Sequence, residues 1–492
     1  MDIAAVSAIL LIGVLSLIFI CVWKQTNVRA KMPPGPFPLP VIGNLLQMKP
    51  SGIAESLMAL SRKYGPVSTV HLGSKPVVVL YGYDAVREAL DDYGEAFSGR
   101  GPSPAFDKVL KDYGFSANGE RYKQMRRFSL TTLRDFGMGK RSIEERIQEE
   151  AKFLVEELRK TKESPFDPTH IFSNAVSNII CSIVFGKRFE YQDKEFLTLL
   201  HMIAGIFQLM TTRSAQLYSM FPNIMDYIPG SHHDIFRNIE RIQEFVEKRV
   251  KLNRDTLDLS SPRDFLDCFL IRMEQDKQNP SSEFHMENLL TTVFGLFFAG
   301  TETVSTTLRY SILVLLKYPD IEEKIHKEIN EVVGRNRMPS INDRSKMVYT
   351  DAVIHEIQRF CDLLPLGIPH TVTQDVNFRG FSIPKGTNVI PILSSALKDP
   401  KMFPSPEEFN PGRFLDDKGG FKRNQAFVPF STGKRSCPGE GLARMELFLF
   451  LTTLLQNFRL KSLTDPKDIN ITPRFTAFSN SPEPFELCAI PF

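Results

Sequence analysis

Apolar residues recur at three- and four-residue spacing among charged residues over much of the chain, a pattern typical of amphipathic helices. The clearest examples are residues 141–161, 236–253 and 319–333. Alternating patterns are few: residues 67–72 and 76–81 flank a glycine-containing turn and predict a β-hairpin, and residues 376–383 predict another strand followed by a turn. The predicted fold class is therefore mainly α with a small β portion.

The N-terminus carries a run of 21 uncharged, mostly apolar residues from Ile3 to Trp23. At a rise of 1.5 Å per residue, such a helix crosses a hydrocarbon layer of about 30 Å. Asp2 precedes the run, while Lys24, Arg29 and Lys31 follow it, so the positive-inside rule predicts that the rest of the chain faces the cytosol. A cleaved signal peptide is the alternative, although its positive charges usually precede a shorter apolar run.

Five prolines stand within residues 33–40, where fixed φ angles and missing N–H donors stop a helix. We expect this segment to be a stiff spacer that orients the body of the protein against the membrane. The remaining sequence has neither internal repeats nor a second linker. The predicted organisation is a single membrane anchor over residues 1–23, a basic, proline-rich hinge over 24–40, and one large domain over 41–492.

Composition narrows the possible partners. The 60 lysines and arginines nearly balance 57 acids, which gives no reason to expect a nucleic-acid partner. The six cysteines contain no CxxC pair, as is typical of a reduced protein that faces the cytosol. Phe is abundant, at 39 residues against one Trp, which suggests dry aromatic surfaces suited to an apolar ligand, with a Phe-rich core as the alternative.

The segment 430–439 surrounds Cys437 with groups that favour a thiolate. Arg435 supplies positive charge, Gly433 and Gly439 allow backbone N–H groups to approach, and a predicted helix starts just beyond. An isolated cysteine is more often a buried structural residue, but these neighbours favour a metal ligand. A zinc site is disfavoured because no second Cys or His lies at ligand spacing.

The same segment resembles the haem-binding signature of the cytochrome P450 family, Phe-x-x-Gly-x-Arg-x-Cys-x-Gly, and contains all five specified residues. The resemblance implies a cytochrome P450 fold with haem b as cofactor and Cys437 as the proximal ligand of its iron. It also implies that Phe430 packs beside the sulfur and that Arg435 pairs with a haem propionate. Because Pro438 has no N–H, Gly439 is the nearest backbone donor to the thiolate.

Other segments match the family in the same order along the chain. Arg126 stands in a propionate-binding position, but Tyr122 replaces the usual Trp four residues earlier, which puts that contact in doubt. Arg100 and His370 match further propionate partners of the animal microsomal members.

A second group of matching residues is structural. Glu356 and Arg359 match the family's Glu-x-x-Arg, and Arg413 is the third member of the buried cluster that this resemblance implies. Such a cluster would hold the core near the cysteine segment.

A long helical stretch, residues 283–317, contains a segment that resembles the family's oxygen-activation motif. We expect the hydroxyl of Thr303 to bond back to the carbonyl of Ala299, where Gly300 also removes bulk, forming a notch beside the iron. Glu302 and Thr303 are then the predicted catalytic residues, which relay the protons that oxygen activation requires. Ala299 lies beside the cofactor in this arrangement.

The resemblance is greatest to family 2 of the microsomal enzymes, which implies insertion of one oxygen atom into lipophilic small molecules such as xenobiotics, fatty acids or steroids. The predicted substrate contacts are Phe106, Phe115, Phe207, Phe294, Phe298, Leu364, Ile368 and Phe478. A cavity rich in Phe favours flat or compact apolar substrates over anions.

The implied location is the endoplasmic reticulum membrane, in contact with lipid. The implied partners are NADPH-cytochrome P450 reductase and cytochrome b5. NADPH and flavins are expected to act only indirectly, through the reductase. Both partners are expected to dock on a basic surface. The alternative is that these residues are ordinary solvated surface charges without a partner. This predicted proximal patch comprises Arg121, Lys123, Arg126, Arg127, Lys422, Arg423, Lys434 and Arg444.

Two other functions use the same cysteine. A haem-thiolate isomerase or dehydratase rearranges a peroxide without a reductase, but it needs no proton relay, so the Glu302–Thr303 pair argues against it. A haem carrier or gas sensor needs neither a substrate pocket nor a relay.

Overall fold

The amphipathic patterns form helices in the computed structural model, which describes residues 31–49, 52–136, 141–473 and 479–492. The three helices predicted most clearly are confirmed, at Arg141–Arg159, His232–Asp255 and Pro319–Val332. The α-helices of the described residues are α1 (Ile53–Tyr64), α2 (Tyr83–Arg87), α3 (Pro104–Leu110), α4 (Gly119–Asp135), α5 (Arg141–Arg159), α6 (Thr169–Val184), α7 (Lys194–Met210), α8 (Arg213–Met220), α9 (Pro222–Met225), α10 (His232–Asp255), α11 (Phe265–Gln275), α12 (Met286–Lys317), α13 (Pro319–Val332), α14 (Val348–Cys361), α15 (Leu393–Leu397) and α16 (Glu440–Asn457). A π-helical turn, Glu88–Asp92, extends α2.

The strands are short and follow the few alternating patterns. They are β1 (Val67–Leu72), β2 (Lys75–Leu80), β3 (Gly99–Arg100), β4 (His370–Thr371), β5 (Val376–Phe378), β6 (Phe381–Ile383), β7 (Asn388–Pro391), β8 (Phe458–Ser462) and β9 (Leu487–Pro491). The largest sheet has the order β1-β2-β7-β4-β3, in which only β2 and β7 run parallel. Its β3–β4 edge pairs Arg100 directly with His370.

The sequence prediction for residues 376–383 is wrong in one respect. The segment is not a single strand but the hairpin β5–β6, because the chain turns at Arg379 and Gly380, both of which have positive φ. Arginine seldom adopts that conformation, so of the two turn residues only Gly380 marks the turn in the sequence. The predicted hairpin of β1 and β2 is confirmed.

Helix α12, at 32 residues, is the central element of the helical core. It packs against α6, α10, α14 and α16, and side chains such as Val293, Phe297 and Val314 are fully buried along its length. Because α16 follows the cysteine segment directly, its packing against α12 brings that segment and the predicted oxygen-activation motif into one region of the core.

The predicted membrane helix, Ile3–Trp23, lies outside the described residues. Within the described part of the chain, no single helix is both long and apolar enough to cross a membrane; one bent pair, Lys194–Met210 with Arg213–Met220, meets the length and composition criteria together. The described part of the predicted hinge lies along β1, where the N–H of Thr69 donates to the carbonyl of Pro34 at 2.9 Å.

Candidate active site

The cysteine loop, residues 430–439, is closed by its own backbone. The N–H of Cys437 donates to the carbonyl of Phe430 at 3.0 Å. Gly433 has a φ of +75°, and a Cβ at this position would lie 1.9 Å from the carbonyl oxygen of Leu90 in the π-helical turn. Only glycine fits there. The loop is therefore seated directly on the backbone of the turn that follows α2.

The thiol of Cys437 is at an exposed surface, yet it lies deep enough in the protein that desolvation raises its pKa. The backbone N–H groups of Gly439 and Glu440 oppose this shift. The arginine whose field lowers the pKa of Cys437 is Arg126, not the predicted Arg435, whose guanidinium is bound elsewhere. The protein alone therefore favours the neutral thiol, and a metal cation would shift it to the thiolate.

Arg435 is buried at the centre of a set of backbone carbonyls. Its guanidinium donates to Ser98 O at 2.8 Å and Ala117 O at 2.8 Å, and more weakly to Phe115 O at 3.2 Å. Burial, with a contribution from Arg126, lowers the pKa of Arg435 to about 10. The side chain thus links the cysteine loop to the chain that leads into α4.

Arg100 and Arg126 complete a cationic cluster with Arg435, and His370 lies beside it. Burial and the charge of Arg435 lower the pKa of Arg100 to about 9. Burial and the charge of Arg100 lower the pKa of His370 to about 3, and Nδ1 of this neutral imidazole donates to Phe97 O at 2.8 Å. Among the described residues, none of the three arginines forms an ion pair with a carboxylate. Uncompensated positive charge at this depth is suited to an anionic ligand.

Tyr122, which stands where the family usually has Trp, contacts both sides of this cluster. Its phenol donates to the carbonyl of Lys434 at 3.0 Å, and its ring stacks against the Arg435 guanidinium at 3.2 Å. Arg126 donates instead to the carbonyl of Ser436 at 2.8 Å. The phenol of Tyr122 therefore binds the backbone of the cysteine loop at Lys434.

The predicted Glu-Arg-Arg cluster is confirmed. Glu356 and Arg359 are fully buried and form a bidentate pair with N–O distances of 2.7 and 2.8 Å. Arg413 donates to the same carboxylate at 3.3 Å, and the N–H of Asn410 at 2.9 Å. Arg359 also donates to Leu397 O at 3.1 Å. The single carboxylate is shared by two guanidinium groups, which also donate to backbone carbonyls, so each charged group of this buried cluster has hydrogen-bond partners.

On α12, the hydroxyl of Thr303 donates to the carbonyl of Ala299 at 2.7 Å, which confirms the predicted bond. The predicted role of Gly300 is wrong: its missing Cβ makes room for the side chain of Ile180 on α6, which would lie 2.7 Å away, and not for a ligand. Gly300 therefore allows two helices to pack closely. The carboxyl of Glu302 accepts from Thr306 at 3.1 Å and from Arg309 at 3.4 Å, and burial raises its pKa.

Four of the predicted substrate contacts form one aromatic cluster. Phe298 stacks on Phe207 with ring centroids 4.3 Å apart and on Phe294 at 5.6 Å. Phe106 on α3 meets Phe298 edge-on at 5.3 Å. These rings come from three helices, α3, α7 and α12, and form an apolar face beside the oxygen-activation motif.

The other predicted contacts differ in their setting. The ring of Phe115 packs near Gly295 of α12, and the Leu364 carbonyl closes a turn with Gly367. Ile368 is 47% exposed, and its carbonyl accepts from Arg100, so it lies at the sheet edge of the cationic cluster. Phe478 lies outside the described residues.

Comparison with known proteins agrees with this geometry. The chain matches the family model described as Cytochrome P450 over residues 33–489. It is 56% identical over 472 residues to "Cytochrome P450 2A4" of Mus musculus, covering 96% of each chain. It is 54% identical to "Cytochrome P450 2A13" of Homo sapiens, covering 99% of each, and 55% identical to "Cytochrome P450 2B4" of Oryctolagus cuniculus, covering 98% of each.

The chain belongs to the cytochrome P450 family. It is accordingly a haem-thiolate monooxygenase that takes electrons through a reductase and acts on lipophilic molecules. The chemistry of the described residues, considered apart from the family, also fits haem b. A cysteine with an open surface and a metal-dependent thiolate adjoins a partly buried cationic cluster that forms no ion pair with a carboxylate of the described residues, as an iron porphyrin with two propionates requires.

The predicted proximal patch of this cytochrome P450 is less positive than its sequence indicates. Arg121 pairs with Glu283 at 2.6 Å, Lys123 with Glu120 at 2.9 Å, and Lys434 with Glu95 at 3.0 Å. Arg444 pairs with Glu440 and lies over the ring of Phe430. Arg127, Lys422 and Arg423 are exposed.

Two residues of the site were missed by sequence reasoning, Thr306 and Arg309. They stand four and seven positions after Glu302, so they share its helix face, and that spacing was the available signal.

Proposed function

We propose that Cys437 is the proximal ligand of the haem iron and that Arg100, Arg126, Arg435 and His370 receive its propionates. The observation that carries this assignment is that the cysteine loop and the cationic cluster are joined residue by residue, through the Ser436 carbonyl to Arg126 and through Arg435 itself. When bound, haem supplies dioxygen activation and oxygen insertion, with electron density from the thiolate favouring O–O cleavage.

The chain's own residues then have defined tasks. Gly439 donates its N–H towards the sulfur and limits the charge on it. Phe430, whose ring is covered by Arg444, excludes water on the proximal side. On the side of the site away from Cys437, the hydroxyl of Thr303 would donate a proton. The carboxyl of Glu302 would then supply a new proton to that hydroxyl.

The substrates that suit the aromatic cluster of Phe106, Phe207, Phe294 and Phe298 are flat or compact apolar molecules. Two of these rings are stacked on Phe298 within 15° and 16° of parallel, so the cluster presents ring faces and edges with few polar groups. Ala299 is exposed on the same helix, one residue beyond Phe298, where it separates this face from the proton-carrying hydroxyl.

We also propose that the protein is anchored in the endoplasmic reticulum membrane through residues 1–23, with its catalytic domain in the cytosol. NADPH-cytochrome P450 reductase and cytochrome b5 then dock on the proximal patch, where the exposed Arg127, Lys422 and Arg423 contribute most to their attraction. Raising the ionic strength is expected to weaken coupling to the reductase. Turnover that is independent of salt would contradict this docking surface.

A reduced, carbon-monoxide difference spectrum of the purified protein tests the haem assignment, and substrate-induced spectral shifts across a lipophilic panel test the pocket. A monooxygenase should form oxygenated product only when both NADPH and purified reductase are present. Conversion of a peroxide without reductase would indicate an isomerase or dehydratase. Absence of any oxygenated product across the panel would favour a haem carrier or sensor.

A further inference from the structure

The two groups proposed to relay protons, the hydroxyl of Thr303 and the carboxyl of Glu302, form hydrogen bonds towards opposite ends of α12. The hydroxyl of Thr303 bonds to the carbonyl of Ala299, towards the N-terminus of the helix. The carboxyl of Glu302 bonds to Thr306 and Arg309, towards the C-terminus. Neighbouring residues on a helix differ by about 100° in direction and do not face each other. The carboxyl of Glu302 must therefore change its hydrogen bonds before it can exchange a proton with the hydroxyl of Thr303.

What holds Glu302 is a closed set of hydrogen bonds. Oε1 accepts from Thr306 Oγ1 at 3.1 Å and from Arg309 Nη2 at 3.4 Å, and the same Nη2 donates to Thr306 Oγ1 at 2.9 Å. Arg309 is held in turn by Nη1, which donates to Thr169 Oγ1 on α6 at 3.1 Å. The side chains of Arg309 and Glu302 are only 12% and 18% exposed, so water screens their attraction weakly.

We propose that Arg309, assisted by Thr306, is a positioning residue that keeps Glu302 in a resting orientation and controls when its carboxyl carries a proton. This inference rests on the proposed function, because it assigns the regulation of the same relay. The relay operates when Glu302 exchanges these partners for the Thr303 side of the helix. Arg309 acts through Glu302, because its guanidinium donates to Glu302, Thr306 and Thr169.

The electrostatics give the direction of the effect. Burial raises the pKa of Glu302, and the charge of Arg309 and the Thr306 hydrogen bond lower it. Among the charged groups of the described residues, Arg309 is the one whose field shifts this carboxyl. Removing Arg309 leaves only the Thr306 hydrogen bond to oppose the effect of burial, so the pKa of Glu302 rises further and its carboxyl stays protonated to a higher pH.

The test compares Arg309→Met, Arg309→Lys and Thr306→Val with the wild-type protein. The matched control is Arg249→Met, because Arg249 is 15% exposed and pairs with Glu195 on another helix, at 2.8 Å. Infrared difference spectra against Glu302→Gln isolate the carboxyl band of Glu302 and follow its titration without turnover. In a second measurement, the ratio of oxygenated product to hydrogen peroxide is determined with reductase as a function of pH.

We expect the titration of Glu302 and the pH profile of coupling to move together to higher pH in Arg309→Met. The displacement should be smaller in Thr306→Val and smallest in Arg309→Lys, which keeps the charge. Arg249→Met should leave both at the wild-type position. A carboxyl titration that is unchanged in Arg309→Met, in a folded protein with a normal carbon-monoxide spectrum, would overturn the inference.

Failure of the proposed relay has a different signature. If Glu302→Gln leaves coupling and its pH profile unchanged, Glu302 does not deliver protons, whatever its titration does in the Arg309 variants. If Glu302→Gln lowers coupling on the order of tenfold while Arg309→Met leaves the pH profile in place, the relay stands and Arg309 does not control it.

Discussion

The cysteine side and the aromatic side of the active site are held together by different forces. On the cysteine side, side chains bond to backbone carbonyls, as Arg435 does to Ser98 and Ala117 and Tyr122 does to Lys434. On the aromatic side, Phe106, Phe207, Phe294 and Phe298 touch one another through ring contacts. Hydrogen bonds to the backbone fix direction as well as distance, whereas aromatic contacts tolerate several geometries.

This difference separates the two tasks of the enzyme. Carbonyl acceptors belong to the backbone, so the geometry of the chemical centre depends on the few donor side chains, such as Arg435 and Tyr122. The aromatic face changes shape with any single ring. The predictions below test whether the two regions respond to substitution as this contrast implies.

The largest effect is expected for Cys437→Ser. Serine cannot supply a thiolate, so the variant should lose the thiolate-type carbon-monoxide spectrum and all reductase-dependent monooxygenation. Cys268→Ser, at a half-buried cysteine of α11, is the matched control and should retain both. A normal spectrum in Cys437→Ser would refute the ligand assignment.

Arg359→Leu should destabilise the protein by about 3–5 kcal/mol, because it leaves the fully buried Glu356 carboxylate without its bidentate partner. Denaturant unfolding followed by circular dichroism measures the loss. Lys123→Ala, which breaks an exposed pair with Glu120, should change stability by less than about 0.5 kcal/mol. Equal losses in the two variants would mean that burial of the cluster contributes nothing.

Asp362→Asn probes a buried carboxyl outside both regions, where the chain leaves α14. Burial raises the pKa of Asp362 from 3.8 to about 6. A carboxyl with a higher pKa in the folded protein destabilises the fold when it ionises, so stability is full below about pH 4 and falls as the pH rises through about 6. Asn also tolerates the left-handed backbone at this position, with φ of +48°.

The expected result for Asp362→Asn is a gain of about 3 kcal/mol in unfolding free energy above pH 7, which shrinks towards zero near pH 4. Unfolding curves at several pH values measure it. A gain that is the same at every pH would show that ionisation of Asp362 is not its source.

Phe298→Ala should give the smallest energetic effect and the most selective one. It removes three ring contacts from the aromatic face, so flat apolar ligands should bind about tenfold more weakly, or about 1.4 kcal/mol, in spectral titrations. The carbon-monoxide spectrum should remain normal. Phe128→Ala also loses three ring contacts, on α4, and serves as the control for general loss of packing. Equal weakening in both variants would contradict a binding role for Phe298.

The same contrast explains what could be predicted from the sequence. The bond from Thr303 to Ala299 is local, so helix geometry was sufficient to predict it. The amphipathic patterns were likewise sufficient for the main helices. The aromatic cluster could be predicted only through resemblance to the family, because its rings come from α3, α7 and α12.

Other features depend on contacts between distant segments. Arg435 bonds to carbonyls that every residue type carries, so the sequence does not mark its partners. Whether Gly300 faces a ligand or Ile180 depends on how α6 and α12 cross. The turn at Arg379 was missed because the sheet around it imposes a backbone conformation that arginine seldom adopts.

The close approach of Gly433 to Leu90 has a consequence for protein design. The decapeptide around Cys437 looks portable, since it is contiguous and closes on itself. Its shape nevertheless relies on a π-helical turn more than 300 residues earlier in the chain, whose carbonyl occupies the space that any larger side chain would fill. A thiolate haem site grafted into a new helical scaffold would therefore need both segments. The decapeptide supplies the ligand, and the backbone of residues 88–92 packs against Gly433 and fixes the conformation of the loop.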